Sequence, residues 1–373
     1  MYKPTLTIDL PKLRDNARVE KEELLKNGVE ILAVNKVFNG CVETARAVLE
    51  GGIDVIAESR VYNLKKIKDA LDCKTCLLRS PVLSEIPDVV KYADISLNSE
   101  PAVLRALSEE AVKQGKTHAV ILMIDMGDLR EGIWFDKYDE IVEAVKLIDS
   151  LPGLEIYGLG TNFNCYGTVM PTVKNGVDFR EIVKKVEAET GIKIPRLSAG
   201  NCTSYHLIDK GIWPEGLNHM RIGGLHEYGI EYVDMHYLDQ YHHSTKPVGK
   251  ACSPLYMLRA EIIELNSKPT VPVGELGVDA FLQTKTFEDR GIRRRALLAF
   301  GRQDVPIENC VPEDDSITIL GQTSDHTLVD IEDCKTPLKV GDTIAFELDY
   351  TGLLAACTVD GVEKRFITDY SNK

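Results

Sequence analysis

Lys36 ends a short apolar run, residues 31–36, whose length and composition are those of a buried strand. A lysine at the end of a buried strand is partly desolvated, which favours the neutral, nucleophilic amine and suits it to imine chemistry. The alternative is a lysine whose side chain simply extends into solvent from the strand end. Lys36 by itself does not decide between these two roles.

Two segments rich in small residues have the composition of anion-binding loops. Residues 197–204 read Leu-Ser-Ala-Gly-Asn-Cys-Thr-Ser, and residues 220–224 read Met-Arg-Ile-Gly-Gly. Small residues allow backbone N–H groups and hydroxyls to approach an anion at the start of a helix. A glycine pair alone is more often only a tight turn. Two such loops together with Lys36 are harder to explain as turns and favour a phosphate-bearing ligand.

These residues must be positioned by the elements around them, and the first 235 residues alternate short apolar runs with amphipathic, charged stretches. This alternation indicates a parallel sheet covered by helices. Eight such units in about 200 residues predict a closed (β/α)8 barrel, with active-site residues at the carboxyl ends of the strands and phosphate after strands seven and eight. A doubly wound open sheet is the competitor, but no Gly-x-Gly-x-x-Gly follows the first strand. The eight predicted strands are residues 31–36, 53–58, 75–80, 93–98, 118–125, 154–160, 195–199 and 217–222.

After residue 235, prolines separate short strand-like segments, which predicts a smaller, mainly antiparallel β domain. The predicted domains are therefore the barrel, 11–235, and the β domain, 236–373 together with a strand at 4–10. Residues 339–342, Lys-Val-Gly-Asp, predict a hairpin turn. The predicted strands of the β domain are 256–264, 316–320, 327–331, 343–348 and 355–359, and the predicted helices of the barrel include 42–50, 100–114 with Ser99 as N-cap, and 179–189.

Composition excludes several classes of function. With 44% hydrophobic and 27% charged residues the chain is that of a folded globular protein. A net charge of -14 repels nucleic acid and anionic lipid, so neither is an expected partner. The first residues lack a secretory signal and no apolar run approaches the ~20 residues of a membrane span, so we expect a cytoplasmic protein. Cys73 and Cys76 form the one Cys-x-x-Cys pair, and without a second pair or a nearby histidine no metal site is predicted.

Four segments of the sequence resemble the alanine racemase superfamily, which are fold-type III pyridoxal-phosphate enzymes, and within it the ornithine/alanine racemase branch. They are residues 7–10 with Asn16, residues 33–36 (Ala-Val-Asn-Lys), residues 125–132 (Asp-Met-Gly-Asp-Leu-Arg-Glu-Gly) and residues 221–229. The resemblance implies a pyridoxal 5'-phosphate cofactor, an amino-acid substrate and a homodimer in which each β domain completes the neighbouring active site.

The resemblance also implies roles for individual residues. Lys36 would carry the cofactor as a Schiff base and act as one of two acid/base groups. Arg221 would donate to the pyridine nitrogen, and because arginine keeps its proton the ring would stay largely unprotonated, which suppresses transamination. Arg130 would help to hold the substrate carboxylate, unless it forms only a loop ion pair with Asp128 or Glu131. The residues that match the family's phosphate cradle are Ser198, Gly200, Thr203, Ser204, Gly223 and Gly224.

The sequence departs from alanine racemases where the second catalytic group is expected. The family's tyrosine is absent from the matching residues 274–281, and residues 38–41 lack the tyrosine found near the cofactor. Met123 stands where many alanine racemases have a modified lysine. Racemisation requires a second acid/base group opposite Lys36. Asp279 is the first candidate, with a turn aspartate as the alternative, and Asp325 and His326 follow it.

The loop 321–327 resembles the one with which the partner subunit lines the substrate entrance, so Ser324 and Asp325 are expected to contact the substrate. Acidic residues there suit a cationic side chain. The resemblance, with which these acidic residues agree, therefore implies an amino-acid racemase that is expected to interconvert L- and D-ornithine. The alternatives are a lysine, alanine or broad-specificity racemase, and a pyridoxal-phosphate homeostasis protein without turnover, although that class is typically a lone barrel.

Overall fold

The computed structural model describes residues 1–244 and 254–369, and the chain divides into two compact units. The larger unit is Leu10–His243, and the smaller unit combines Met1–Asp9 with Ser244–Lys373. The first unit thus extends beyond residue 235, where the sequence predicted the barrel to end. Residues 245–253 and 370–373 of the predicted β domain lie outside the described residues.

Eight parallel strands form a closed barrel in the larger unit, which confirms the predicted (β/α)8 fold. Neighbours in the ring follow chain order, and the last barrel strand pairs with the first, with Met220 opposite Ile31. The chain begins with β1 (Thr5–Asp9) of the smaller unit. The strands of the larger unit are β2 (Glu30–Val34), β3 (Val55–Glu58), β4 (Lys74–Leu77), β5 (Ile95–Asn98), β6 (His118–Asp125), β7 (Ile133–Trp134), β8 (Leu154–Thr161), β9 (Leu197–Ala199), β10 (His219–Ile222), β11 (Ile230–Glu231) and β12 (His236–Tyr237). The strands β7, β11 and β12 are not part of the ring.

Helices connect these strands and pack their apolar faces against them. Buried side chains of β6, α6 and α7, such as Val120, Ile141 and Phe179, belong to one core cluster. The helices of this unit are α1 (Leu10–Lys26), α2 (Val42–Glu50), α3 (Val61–Ala70), α4 (Ile86–Tyr92), α5 (Pro101–Gln114), α6 (Tyr138–Ser150), α7 (Val173–Thr190), α8 (Tyr205–Asp209) and α9 (Gly224–Tyr228).

The ends of two helices differ from the prediction. Glu100, not Ser99, is the N-cap residue of α5, and it makes no side-chain cap. The proline that follows has the backbone φ of a first helical position, so it starts the helix without such a cap. Helix α7 begins earlier than residue 179, because Thr172 and Asn175 form a capping box.

The smaller unit contains one mainly antiparallel sheet, as predicted. The elements are β13 (Tyr256–Pro269), β14 (Ile292–Leu298), β15 (Cys310–Pro312), β16 (Thr318–Gln322), β17 (Thr327–Asp330), β18 (Thr343–Leu348), α10 (Tyr350–Thr358) and β19 (Glu363–Ile367). The strands lie in the order β15, β18, β13, β14, β17, β16, and β1 pairs antiparallel with β13 and parallel with β19. The predicted turn at 339–342 is present, since Asp342 N–H donates to Lys339 O at 3.1 Å.

One predicted strand of this unit, residues 355–359, was wrong. Residues 350–358 form the helix α10, whose N-cap Asp349 accepts a hydrogen bond from Gly352 N–H at 2.8 Å. A Cβ at Gly352 would lie 2.7 Å from Asn309 O, so the glycine lets this helix approach the neighbouring backbone. A short apolar run has no period that separates a buried helix from a strand. The aspartate and glycine before the run were the local signal for the helix.

Among residues 1–244 and 254–369, no helix has both the length and the apolar character needed to cross a membrane.

Candidate active site

Lys36 lies two residues after the end of β2 and opens a single 3-10 turn, Lys36–Phe38, at the carboxyl end of the barrel. The preceding residue, Asn35, is held in place by the barrel. Asn35 is fully buried, and its N–H donates to Ala57 O at 2.8 Å. The Lys36 side chain itself is exposed, so the described residues do not desolvate it to the extent expected from the sequence.

Two buried glutamates, Glu58 and Glu227, lie at the same end of the barrel as Lys36, and neither was predicted to be functional. Glu58 ends β3 and accepts hydrogen bonds from Gly40 N–H at 3.0 Å and from Asn35 Nδ2 at 3.3 Å. Burial raises the pKa of Glu58 to about 7. A carboxyl at the carboxyl end of a predicted strand was a usable signal, because that edge of a barrel carries the functional groups.

Glu227 lies on α9 and is 2% exposed, and its Oε1 has no hydrogen-bond partner among the described residues. A Cβ placed on Gly223 would lie 3.0 Å from this oxygen and 2.8 Å from Val34 O, so the carboxyl sits beside the end of β2. Burial raises the pKa of Glu227 to about 7; the positive charges of His226 and Lys36 oppose this, and the negative charges of Glu20 and Glu58 add to it. Glu227 is thus a carboxyl that can hold or release a proton near neutral pH.

His226, the residue before Glu227 on α9, forms a buried ion pair with Glu20. His226 Nδ1 and Glu20 Oε2 are 2.7 Å apart, and both side chains are fully buried. Burial alone would lower the pKa of His226, but the Glu20 carboxylate raises it above the ordinary value. The pair joins α9 to α1, and therefore fixes the helix that carries Glu227.

Arg221 occupies the carboxyl half of β10 and is 5% exposed. Its Nη1 donates to Ser198 O at 3.1 Å and its Nη2 to Thr161 O at 2.7 Å, which ties three strands of the barrel together. Its Nε makes no hydrogen bond within the described residues. Burial lowers the pKa of Arg221 to about 10, so the guanidinium still carries its charge at neutral pH. The Ser198 hydroxyl contacts Arg221 and, at 2.7 Å, His219 Nδ1, so this side chain is engaged in holding the arginine.

The loop after β9 is built for a small, close-fitting group. Gly200 has φ +101°, and a Cβ there would lie 2.0 Å from Ser204 Oγ, so only glycine fits. The Ser204 hydroxyl is buried and has no hydrogen-bond partner in the described part of the chain. Thr203 N–H donates to Asn201 Oδ1 at 3.0 Å, which fixes the turn. A buried hydroxyl without a partner indicates a polar ligand.

The loop after β10 faces the same segment. The N–H groups of Gly223 and Gly224 point at Cys202 Sγ, at 3.4 and 3.0 Å. A Cβ on Gly224 would lie 2.5 Å from the Tyr232 ring. Loss of solvent around the Cys202 sulfur raises the pKa of its thiol to about 11, so this group is neutral. Backbone donors, a neutral thiol and the Ser204 hydroxyl form a donor set that fits a phosphate group.

Arg130 follows β6 at the same end of the barrel. The sequence left Asp128 and Glu131 as possible ion-pair partners of Arg130. In the structure its guanidinium contacts both oxygens of the Glu131 carboxylate. Asp128 instead fixes the loop that carries Cys165, accepting from Cys165 N–H at 3.1 Å and from Val169 N–H at 3.2 Å. The structure thus keeps Arg130 in an ion pair that a carboxylate ligand would have to share or replace.

Asp279 belongs to the smaller unit. It accepts hydrogen bonds from Phe281 N–H at 2.8 Å and Gln283 N–H at 3.0 Å, and its Oδ2 lies 3.4 Å from Lys285 Nζ. Hydrogen bonds from the Gln283 and Phe281 backbones, in that order, hold the pKa of Asp279 below its usual value. These are the contacts of a turn aspartate, and they make it a weaker base than an ordinary carboxylate.

The loop with Ser324 and Asp325 also belongs to the smaller unit, and both residues are exposed. Thr323 Oγ1 accepts from Asp325 N–H at 3.3 Å, and Asp325 Oδ1 accepts from Gln303 Nε2 at 3.0 Å. A Cβ on Gly301 would lie 2.0 Å from Ser324 O, so the loop conformation requires this glycine.

The family model described as the alanine racemase N-terminal domain matches residues 8–229, which is more than half of the chain. The chain belongs to the alanine racemase family. The matched range includes Glu20, Lys36, Arg130, Arg221 and Glu227.

Two relatives of this alanine racemase family member match nearly its whole length. The ornithine racemase of Acetoanaerobium sticklandii is 40% identical, and the match covers 98% of this chain and 100% of the relative. The lysine racemase of Thermotoga maritima is 36% identical over 98% of each chain. Among solved structures, the alanine racemase of Bartonella henselae with covalently bound pyridoxal phosphate has a TM-score of 0.71 at 15% identity, covering 98% of this chain and all of that one.

Of the predicted site residues, the structure places one set in the larger unit of this family member and the other in the smaller unit. The larger unit carries Lys36, Arg130, Ser198, Gly200, Thr203, Ser204, Arg221, Gly223 and Gly224, and the smaller unit carries Asp279, Ser324 and Asp325. Glu227 and His226 lie within the recognised segment 221–229, but nothing in their spacing indicated that they would be buried beside the strand end.

Proposed function

We propose that this chain is a pyridoxal-phosphate-dependent amino-acid racemase that interconverts L- and D-ornithine. One observation supports the chemistry most strongly: Lys36 follows β2, and the buried Arg221 lies on β10, the strand paired with β2. The full-length similarity to an ornithine racemase supports the substrate.

The residues present fit the cofactor. Lys36 would attach it, the Nε of Arg221 would donate to its ring nitrogen, and the loops after β9 and β10 would hold its phosphate through the Ser204 hydroxyl and the N–H groups of Gly223 and Gly224. In this assignment Ser198 does not contact the cofactor itself; its hydroxyl and carbonyl oxygen hold Arg221, which does. When bound, pyridoxal phosphate withdraws electrons from the Cα of an attached amino acid and so acidifies its proton.

Racemisation then requires acid/base groups of the protein on both faces of Cα, one to remove the proton and one to return it on the opposite face. Lys36 is the acid/base group on one face, and the carboxyl of Glu227 interacts electrostatically with it from the barrel. The group on the other face comes, in this proposal, from the β unit of the partner in a homodimer. Asp279 and Asp325 are the candidates, and the hydrogen bonds that hold the pKa of Asp279 below its usual value count against Asp279.

The substrate is expected to be held at both ends. Arg130 would meet the α-carboxylate, and Ser324 of the partner subunit would meet the side-chain ammonium, which leaves the Asp325 carboxylate for the Cα proton. The lysine racemase similarity makes lysine the second substrate to examine, because its ammonium lies only one methylene farther from Cα.

The test is solvent-deuterium incorporation at Cα with chiral separation of the products, for separate L-ornithine, L-lysine and L-alanine. We expect inversion and exchange with ornithine well ahead of alanine. Exchange led by lysine would move the substrate assignment and keep the reaction. No exchange with any of the three, although borohydride reduction places a pyridoxyl group on Lys36, would refute the racemase and favour the homeostasis protein.

The same assay separates the two candidate bases. Asp325→Asn is expected to abolish racemisation, with deuterium still entering one enantiomer through Lys36, whereas Asp279→Asn should retain most of the rate. The reverse order would assign the second base to Asp279. Equal, wild-type rates in both variants would remove both residues.

A further inference from the structure

A cluster of imidazole and carboxylate groups lies in the larger unit, apart from the residues assigned above. His206 belongs to α8, Glu231 to β11, and Asp234 follows β11. Their ligand-type atoms all lie within 4.8 Å of one another. Helix α8 follows the Gly200–Ser204 loop, and β11 follows α9, so the cluster connects the segments that continue from the two glycine-bearing loops.

The separations within the cluster are those expected around one metal ion. His206 Nδ1 lies 3.5 Å from Glu231 Oε1 and 3.8 Å from Asp234 Oδ2. These distances are too long for good hydrogen bonds. Two ligands bound to zinc at about 2.0–2.2 Å with tetrahedral angles are about 3.4 Å apart. The three groups therefore surround a point that an ion can occupy after small side-chain shifts.

The burial of the groups also points to a missing partner. His206 Nδ1 is buried and makes no hydrogen bond among the described residues. Glu231 is fully buried and is fixed by two backbone donors, Val233 N–H at 2.7 Å and Asp234 N–H at 2.6 Å. A buried nitrogen with a lone pair, held beside a carboxylate that cannot turn away, is the environment of a metal ligand.

The surroundings supply a further ligand and one competitor. His236 Nδ1 lies 3.7 Å from Glu231 Oε2, so His236 or a water can complete four ligands. Lys210 Nζ lies 3.1 Å from Asp234 Oδ2. Since the Lys210 side chain is 46% exposed, it can leave at little cost when a divalent ion takes its place.

We propose that His206, Glu231 and Asp234 bind a divalent transition-metal ion, with zinc as the expected one. One imidazole and two carboxylates are a ligand set that zinc accepts and that calcium or magnesium, which prefer oxygen alone, does not. The bound ion ties α8 to β11. Neither the Cys73/Cys76 pair nor the adjacent histidines at 242–243 belong to this site. The proposal does not depend on racemase activity.

The test measures metal binding directly on the full-length chain, purified with pyridoxal phosphate and dialysed against a chelator. Zinc chloride is titrated by calorimetry, and cobalt(II) is added separately for its visible spectrum, because cobalt bound to thiolates gives charge-transfer bands that nitrogen and oxygen ligands do not. His206→Asn and Asp234→Asn remove ligands, and the 53% exposed Asp234 can change without disturbing the core. The matched control is His242→Asn, which breaks a comparable pair, His242 Nε2 to Asp15 Oδ2 at 3.7 Å.

Wild type and the control are expected to bind one zinc ion, and each ligand variant should bind it at least about tenfold more weakly. Zinc should also raise the thermal unfolding midpoint of the wild type and leave that of His206→Asn unchanged. Equal zinc affinity in all four proteins, thiolate bands with cobalt, or no binding by the wild type would each overturn the proposal.

Discussion

Replacing Glu227 by glutamine tests the electrostatics of the barrel end. Burial raises the pKa of Glu227 from 4.5 to about 7. Because the folded-state pKa is raised, the stability that the protonated carboxyl contributes is fully present below pH 4.5 and is lost as the pH rises through about 7. At about 1.4 kcal/mol for each pKa unit, the loss is about 3 kcal/mol. Glutamine has nearly the same shape and never ionises, so it removes this loss.

The assay is thermal unfolding followed by circular dichroism, for cofactor-free wild type and Glu227→Gln from about pH 5 to about pH 9. The variant is expected to gain about 2.5 kcal/mol on the wild type across this range, because part of the loss has already occurred at about pH 5. At about 2–4 °C per kcal/mol this is a relative rise of about 5–10 °C in unfolding midpoint. Glu181→Gln, whose side chain is 47% exposed on α7, is the control and should follow the pH dependence of the wild type.

A difference between Glu227→Gln and wild type that stays constant over the whole pH range would refute the reasoning, because it would mean that Glu227 is ionised throughout. A difference that grows toward low pH would show the opposite sign, namely a carboxylate stabilised by the charges of Lys36 and His226.

Three further outcomes follow from single contacts. Gly200→Ala places a Cβ 2.0 Å from Ser204 Oγ at a φ of +101°, so it should lower the stability of the protein by about 1–3 kcal/mol. It should also weaken pyridoxal-phosphate binding, which equilibrium dialysis measures. An unchanged affinity would mean that the loop does not hold the cofactor. Ser198→Ala removes the hydroxyl that contacts Arg221 and is expected to destabilise the protein by about 1–3 kcal/mol in urea unfolding. If the loss of stability were smaller than that caused by replacing an exposed serine, the contact would not contribute to stability. Asp349→Ala removes the N-cap of α10 and should cost about 1 kcal/mol, with Asp349→Asn close to wild type as the control.

The barrel could be predicted because its signal is local and repeated. Each strand is a continuous apolar run, since both of its faces are buried, and each run is followed by an amphipathic helix. The lysine at the end of residues 31–36 and the small residues of 197–204 and 220–224 could therefore be placed at one end of the barrel from chain order alone. Helix α10 could not be placed in this way, because its apolar run, residues 353–357, has no polar face that would reveal its period.

Which titratable groups meet was decided only by the tertiary structure. Glu20, Glu58 and Glu227 come from α1, β3 and α9. Burial raises the pKa of Glu58 and of Glu227, and the charges of Glu20 and Glu58 add to the rise at Glu227. His206 of α8 likewise meets Glu231 and Asp234, which lie on and just after β11. Burial and Coulomb interactions depend on distances across the closed barrel, and a sequence pattern records only distances along the chain. The sequence by itself thus determined the fold and the end of the barrel where the chemistry lies. The closure of the barrel decided which titratable side chains lie close enough there to interact electrostatically.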